Sequence, residues 1–233
     1  MDLVIFGANG PTGRLLVEDA LAAGHHVRAV TRHPESLGME HERLEVFAGD
    51  ALDAASVAES VRGADAVLST LGAPYGRKPI SLYSVSARNL VDALGAQGIR
   101  RLVVVSSSAT DPQERFRDTG GGFFFERVLK PVITNTMGKQ LYADMLRMER
   151  IVRASGLDWT IVRPSGLFGT DAVTDYGAST DFIRGRYTSR RDLADFLLRQ
   201  ATDTDYVRKA VAVATFDPQP TVMQLIRNEA LAK

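Results

Sequence analysis

The stretch Gly7-Ala-Asn-Gly-Pro-Thr-Gly13 constrains this chain more than any other part of it. An apolar run, Leu3 to Phe6, leads straight into it, and a series of good helix formers, Arg14 to Ala23, follows without a gap. Three glycines at this spacing between a strand and a helix do separate work. The first permits a tight turn, the second lets backbone approach a pyrophosphate, and the third lets the helix pack close to the strand. Amides at the helix start then face the anion. Gly7, Gly10 and Gly13, with Asn9, Pro11 and Thr12 between them, are therefore the expected phosphate-binding turn of a Rossmann-type dinucleotide site. An ordinary strand-to-helix connection is the alternative that the glycines alone leave open.

The rest of the chain supports that context. Short aliphatic and β-branched runs alternate with longer segments of helical period, the pattern of βα units around a parallel sheet. The expected strands are Leu3–Phe6, His26–Val30, Leu44–Phe47, Ala66–Thr70, Leu102–Val105 and Thr160–Val162. Most read as continuous apolar runs, as they must where helices cover both faces. The fold class expected is thus α/β, a doubly wound parallel sheet with a small C-terminal segment on the substrate side. The clearest helix spans Lys139 to Ser155, where Leu141, Met145, Met148 and Val152 share a face, and Gly156 is expected to end it with a positive φ. At 233 residues and 45% apolar content the chain can build one sizeable core. A single domain over residues 1–233 is expected, with 110–138 and 165–188 as substrate-side loops. The first of these holds Gly120-Gly-Gly122 and Phe123-Phe-Phe125, and its length fits a functional loop or lid. The Phe run reads equally as half of a pocket wall or as the buried side of a short helix.

Composition removes several classes. Lys plus Arg equals Asp plus Glu at 28 each, so no net field gathers nucleic acid or anionic lipid. With no cysteine there is no disulfide, thiolate nucleophile or Cys-based zinc site, and the four histidines all precede residue 42, so no metal is expected. No stretch reaches the roughly 18 apolar residues of a membrane span, and a cytoplasmic monomer or homodimer is expected. Which dinucleotide binds is decided after the second strand, where an NAD site usually places an acid for the ribose 2′-hydroxyl. Here Val27-Arg-Ala-Val30 runs into Thr31-Arg32. Arg32 suits a 2′-phosphate through paired, charge-assisted hydrogen bonds, which makes NADP (as NADPH) the expected cofactor. A solvated arginine at a strand end is the bland alternative.

Further segments carry a family resemblance: Gly49-Asp-Ala-Leu52, Asp65-Ala-Val-Leu-Ser-Thr-Leu-Gly72, Ala87-Arg-Asn-Leu-Val91, Ser155-Gly-Leu-Asp-Trp-Thr-Ile-Val-Arg-Pro164 and Ser189-Arg-Arg-Asp-Leu-Ala-Asp195. With the glycine turn, they resemble the atypical short-chain dehydrogenase/reductase group, specifically its NmrA-like and biliverdin reductase B-like (flavin reductase) branch. The resemblance implies that Asp50 and Ala51 lie beside the adenine and that Leu71 and Gly72 run along the ribose and pyrophosphate. It implies that Ser106 and Ser107 end the fifth strand near the nicotinamide, and that Arg163, Pro164 and Ser165 close over that ring. The larger superfamily pairs a catalytic tyrosine with a lysine four residues later. The residues four before Lys78, Lys130, Lys139, Lys209 and Lys233 are Pro74, Glu126, Asn135, Asp205 and Glu229, so no such pair exists. Tyr142 lies near the usual place of that tyrosine, but its fourth neighbour is Leu146. Ser107 and Tyr142 remain the catalytic candidates. The branch also carries Pro-Pro-His, where this chain reads Pro164-Ser165-Gly166.

Other conspicuous residues have structural readings. His25 and His26 precede the second strand as surface residues, and Ser189 with Asp192 fits a helix N-terminal cap. Arg184, Arg186, Arg190 and Arg191 read as a solvated face. Two functional classes follow: an NADPH-dependent oxidoreductase passing hydride to a flat conjugated small molecule such as a flavin or quinone, or a noncatalytic NADP-responsive regulator. Sugar-nucleotide epimerisation is a third, weakened by the missing tyrosine–lysine pair.

Overall fold

Strands that are apolar on both sides need helices above and below, and this chain supplies them. The computed structural model describes residues 1–76, 78–112 and 138–220. Eight strands form one sheet in the order β3-β2-β1-β4-β5-β6-β10-β8. They are β1 (Asp2–Phe6), β2 (His26–Thr31), β3 (Leu44–Ala48), β4 (Ala66–Ser69), β5 (Arg101–Val105), β6 (Asp158–Pro164), β8 (Asp175–Ser179) and β10 (Lys209–Asp217). All neighbours run parallel except β8, which closes the far edge antiparallel to β10. The helices are α1 (Pro11–Ala22), α2 (Ala54–Ser60), α3 (Leu82–Gln97), α4 (Lys139–Ala154) and α5 (Arg190–Arg199).

Alternation along each strand divides the core. Leu3 and Ile5 of β1 face Leu16, Val17, Leu193 and Leu197 of α1 and α5. Val4 and Phe6 face the opposite layer, where Val57, Leu90, Leu94, Met145 and Val152 of α2, α3 and α4 pack. Strand order reverses between β1 and β4, so the loops leaving their C-terminal ends diverge and open a crevice there. That crevice sits over the glycine turn.

Several expectations are corrected by this architecture. The first helix begins at Pro11, so Gly13 lies inside it rather than before it; a proline at N1 lacks only an amide that has no helical partner there. Gly156 does not take a positive φ. Instead Ser155 leaves α4 in an extended conformation while its amide and hydroxyl both bond the carbonyl of Val152, at 3.1 and 2.7 Å. Residues 165–188 are not only loop: β7 (Gly166–Phe168), β8 and the start of β9 (Tyr187–Ser189) lie there, with β7 and β9 paired as a small parallel sheet. β10, with its Ala-Val-Ala-Val-Ala alternation, is a further strand beyond the six expected. The Phe123–Phe125 run and most of the 110–138 loop lie outside the described residues. Among the described residues no helix is long and apolar enough to cross a membrane.

Candidate active site

β1 exits at Gly7, whose φ of +77° favours glycine. A Cβ there would also lie 2.8 Å from the carbonyl carbon of Thr70 and 2.9 Å from the amide nitrogen of Leu71, so the turn presses directly on the exit of β4. Thr70 secures that contact, its amide and hydroxyl donating to the Phe6 carbonyl at 2.9 and 3.0 Å. Gly13 is the tightest position of all. A Cβ on it would sit 2.1 Å from the Gly7 carbonyl oxygen, which no side chain can do. Gly10 is different, because its Cβ would meet only that same oxygen at 3.2 Å. Gly10 starts α1 without a side-chain cap, and the first turn, with Pro11 and Thr12, holds no acidic residue. The helix therefore presents an uncompensated positive end at the crevice, the environment an anion needs.

Asn9 ties this turn to the loop after β2. Its amide donates to the His33 carbonyl at 3.1 Å, and its side-chain oxygen accepts from Arg14 at 2.7 Å. Arg14 also donates to the carbonyls of Ser36 and Leu37. That clamp holds the loop carrying Arg32, which is exposed and, among the described residues, has no acceptor for its guanidinium. Asp50 follows β3 and folds its carboxylate back onto the Leu52 amide at 2.9 Å, while Asn89 of α3 donates to the carbonyl of buried Ala51 at 3.0 Å. Leu71 is half-buried against the α3 layer and Gly72 is exposed beside it.

The ends of β5 and β6 meet on one buried carboxylate. Glu149 of α4 accepts from Ser106 Oγ at 2.8 Å, Thr110 Oγ1 at 2.7 Å and Arg163 at 3.0 and 2.6 Å. Burial by itself would push this carboxyl up. The Arg163 guanidinium and the two hydroxyls outweigh it and hold the group below the usual carboxylate range. Arg163 also reaches Asp111 at 3.4 Å, so its side chain belongs to this network. Ser107 is half-exposed and its hydroxyl accepts from the Ala109 amide at 3.2 Å. Pro164 is buried, and Ser165 bonds the Gly185 carbonyl and Thr188 Oγ1 rather than standing free.

Tyr142 stands in the first turn of α4, half-buried, with Leu146 where a lysine would be. Its hydroxyl lies 3.0 Å from that of Tyr75, in the loop that continues from Gly72. Sequence reasoning missed Tyr75, Arg14 and Glu149, none of which belongs to a motif of fixed spacing. The expected cap of α5 is present: Ser189 Oγ accepts from the Asp192 amide at 3.1 Å. The arginine cluster is not one uniform solvated face, because Arg191 pairs with Glu18 and Asp19 of α1 and Arg186 donates to Tyr187. A surface hollow of about 250 Å³ lies at the opposite, amino-terminal edge of the sheet, walled by the paired Arg28 and Glu45 among others. Its lining includes none of the candidate residues. Among the described residues no group of three metal-ligating side chains forms.

The profile of the NAD(P)H-binding family matches residues 7–204, from the first glycine to beyond α5. The chain belongs to the NAD(P)H-binding family. Within it, the chain is 27% identical over 222 residues to an uncharacterized sugar epimerase of Bacillus subtilis, covering 90% of this chain and 92% of that one. It is 26% identical over 220 residues to a (4-alkanoyl-5-oxo-2,5-dihydrofuran-3-yl)methyl phosphate reductase of Streptomyces griseus, covering 91% and 67%. Among solved structures, the anaerobilin reductase ChuY of Escherichia coli O157:H7 superposes with a TM-score of 0.75 at 23% identity, over 95% of this chain and all of that one. The glycine turn, the uncapped start of α1 and the switch point between β1 and β4 all lie within the matched residues.

Proposed function

We propose that the protein is an NADPH-dependent reductase that passes hydride to a flat conjugated acceptor, flavin-like or quinone-like, without a Tyr-x-x-x-Lys pair. The observation that carries the cofactor choice is Arg32, exposed just after β2 and without an acceptor among the described residues, where an NAD site would hold an acid. In this reading Gly7, Gly10, Thr12 and Gly13 surround the pyrophosphate, and Arg32 takes the 2′-phosphate. Asp50 and Ala51 border the adenine, Leu71 and Gly72 the ribose, and Ser107, Pro164 and Ser165 the nicotinamide. Residues 165–188 form the substrate side. When bound, the cofactor supplies the hydride; the chain orients it and excludes water.

The acceptor class follows from Tyr142 having Leu146 in place of a lysine. A simple ketone needs an acid at the moment of hydride transfer, and a positioned acid contributes about 10²- to 10⁴-fold. A conjugated acceptor spreads the arriving charge and depends mainly on alignment. The relative named as a reductase of a conjugated oxo-dihydrofuran supports this class.

Two measurements test the proposal. NADPH is expected to bind about 10- to 100-fold more tightly than NADH, the worth of charged hydrogen bonds to a phosphate, and Arg32→Ala is expected to erase the difference. Equal affinities in the wild type would overturn the cofactor choice. NADPH oxidation is expected with FMN, riboflavin or menadione and to be far slower with simple ketones; the reverse order would overturn the acceptor class. Tight NADPH binding with no turnover of any acceptor would instead favour a noncatalytic, NADP-sensing role.

A further inference from the structure

Tyr75 and Tyr142 come from segments 67 residues apart, yet their hydroxyl oxygens lie 3.0 Å from each other. Their rings meet edge to face, with centroids 6.3 Å apart and planes at 68°. Such a contact aligns the two phenols rather than merely placing them nearby. Tyr75 sits four residues after Leu71 on the loop that leaves β4, and β4 and β1 border the switch point. α4 runs back toward the start of β6, so its first turn, with Tyr142, lies at the same C-terminal edge. The Tyr75 ring is exposed, and the half-buried Tyr142 packs against the core layer formed by α2, α3 and α4. Their neighbour Tyr83 braces the loop, its hydroxyl accepting from the Ala73 amide at 3.0 Å.

We propose that Tyr75 is the positioning partner of Tyr142, its hydroxyl orienting the Tyr142 phenol through a neutral hydrogen bond without the charge that a lysine four residues on would bring. This rests on the reductase reading above. As hydride from NADPH arrives with its electron pair, the acceptor's oxygen gains negative charge and takes the Tyr142 proton. The O–H bond of Tyr142 breaks, and the Tyr75 hydroxyl donates its own proton across the 3.0 Å contact. Tyr75 is 50% exposed and is reprotonated by water, so the pair returns to its starting state with NADPH oxidised and the acceptor reduced by two electrons. A neutral phenol donating to a developing phenolate is a charge-assisted bond, stronger than the neutral one present at rest. Tyr142 would touch the acceptor; Tyr75 acts only through it.

Among the described residues, the titratable groups facing this corner from the packed helices include Tyr83 of α3 and the fully buried Asp144 of α4, with Arg147 beside Asp144. Burial pushes the Tyr83 phenol up, and both Tyr75 and Asp144 raise it further, so it does not titrate early. Tyr176 is pushed up as well, by burial and by Asp195.

The test compares wild type, Tyr75→Phe, Tyr142→Phe and the double variant. Ultraviolet resonance Raman spectra of the tyrosine bands, which need no turnover, are expected to change in Tyr75→Phe by more than the loss of one tyrosine, because Tyr142 loses its hydrogen bond with Tyr75. A change equal to one lost tyrosine would overturn the pairing, even if the protein proves to be no reductase. With NADPH and menadione, Tyr75→Phe is expected to lower kcat about 10-fold with KM for NADPH unchanged, and the double variant to be no slower than Tyr142→Phe alone. Losses that multiply would mean that the two phenols act separately, and would overturn the relay. If no acceptor turns over, the reductase reading fails while the Raman comparison still decides the pair.

Discussion

Gly10 and Gly13 are the same residue in one motif, but the structure gives them opposite liabilities. A Cβ at Gly13 collides with the Gly7 carbonyl at 2.1 Å, inside the contact of α1 with the turn. Gly13→Ala is therefore expected to destabilise the fold by about 3 kcal/mol, read by urea denaturation. A Cβ at Gly10 meets that oxygen only at 3.2 Å, so Gly10→Val is expected to remain folded while losing NADPH binding by calorimetry. A folded Gly10→Val that keeps its affinity would reduce the turn to a structural connection. The three glycines were legible from spacing alone, because a backbone turn of this kind is written in consecutive residues. Arg14 was not, because its acceptors at Asn9, Ser36 and Leu37 come together only once β2 lies beside β1.

At the scale of elements, helix ends show how far local reading extends. α5 carries its own cap in Ser189, and the Ser-x-x-Asp spacing announces it. α3 does not: Ser81 makes no side-chain cap, and the amides of Tyr83 and Ser84 are taken at 2.9 and 3.2 Å by Asp144, some 60 residues later on α4. A buried carboxylate on two amides and a hydroxyl replaces a local cap and fixes α4 against α3 at once. Asp144→Ala is expected to lower stability by about 2–3 kcal/mol, more than an ordinary cap, because buried donors lose their acceptor. Chemical denaturation of Asp144→Ala beside Ser81→Ala checks this; an equal, small loss in both would mean that α3 is capped by water. β8 and β9 were missed for a related reason. Three- and five-residue strands with mixed polarity carry no period of their own and exist because β10 and β7 offer them edges.

For the whole molecule, the Glu149 network joins β5, β6 and α4 through one buried charge pair. Removing the carboxylate leaves the largely buried Arg163 guanidinium only its 3.4 Å contact with Asp111, so Glu149→Gln is expected to cost about 3 kcal/mol. The pH dependence follows in sign. The carboxyl titrates below its ordinary 4.5 in the folded state, so its contribution is fully present above that range and is lost as pH falls through the depressed folded value. Asp158, held down mainly by its hydrogen bond with Arg100, adds in the same direction. Urea titrations from neutral to acid pH are expected to show stability falling, with a shallower acid limb in Glu149→Gln. Identical acid limbs would remove Glu149 from the account.

Local sequence determined the glycine turn, the alternation of strands and helices, and the cation just after β2, because these depend on residues adjacent in the chain. The apolar period of α4 was readable for the same reason, since Leu141, Met145, Met148 and Val152 repeat at helical spacing. Tertiary structure decided which side chains meet: Glu149 with Arg163, Asp144 with α3, and Tyr75 with Tyr142. Such pairings bring together residues from separate βα units, and their distances are set by how the layers pack on the sheet, a relation that no single stretch of chain contains.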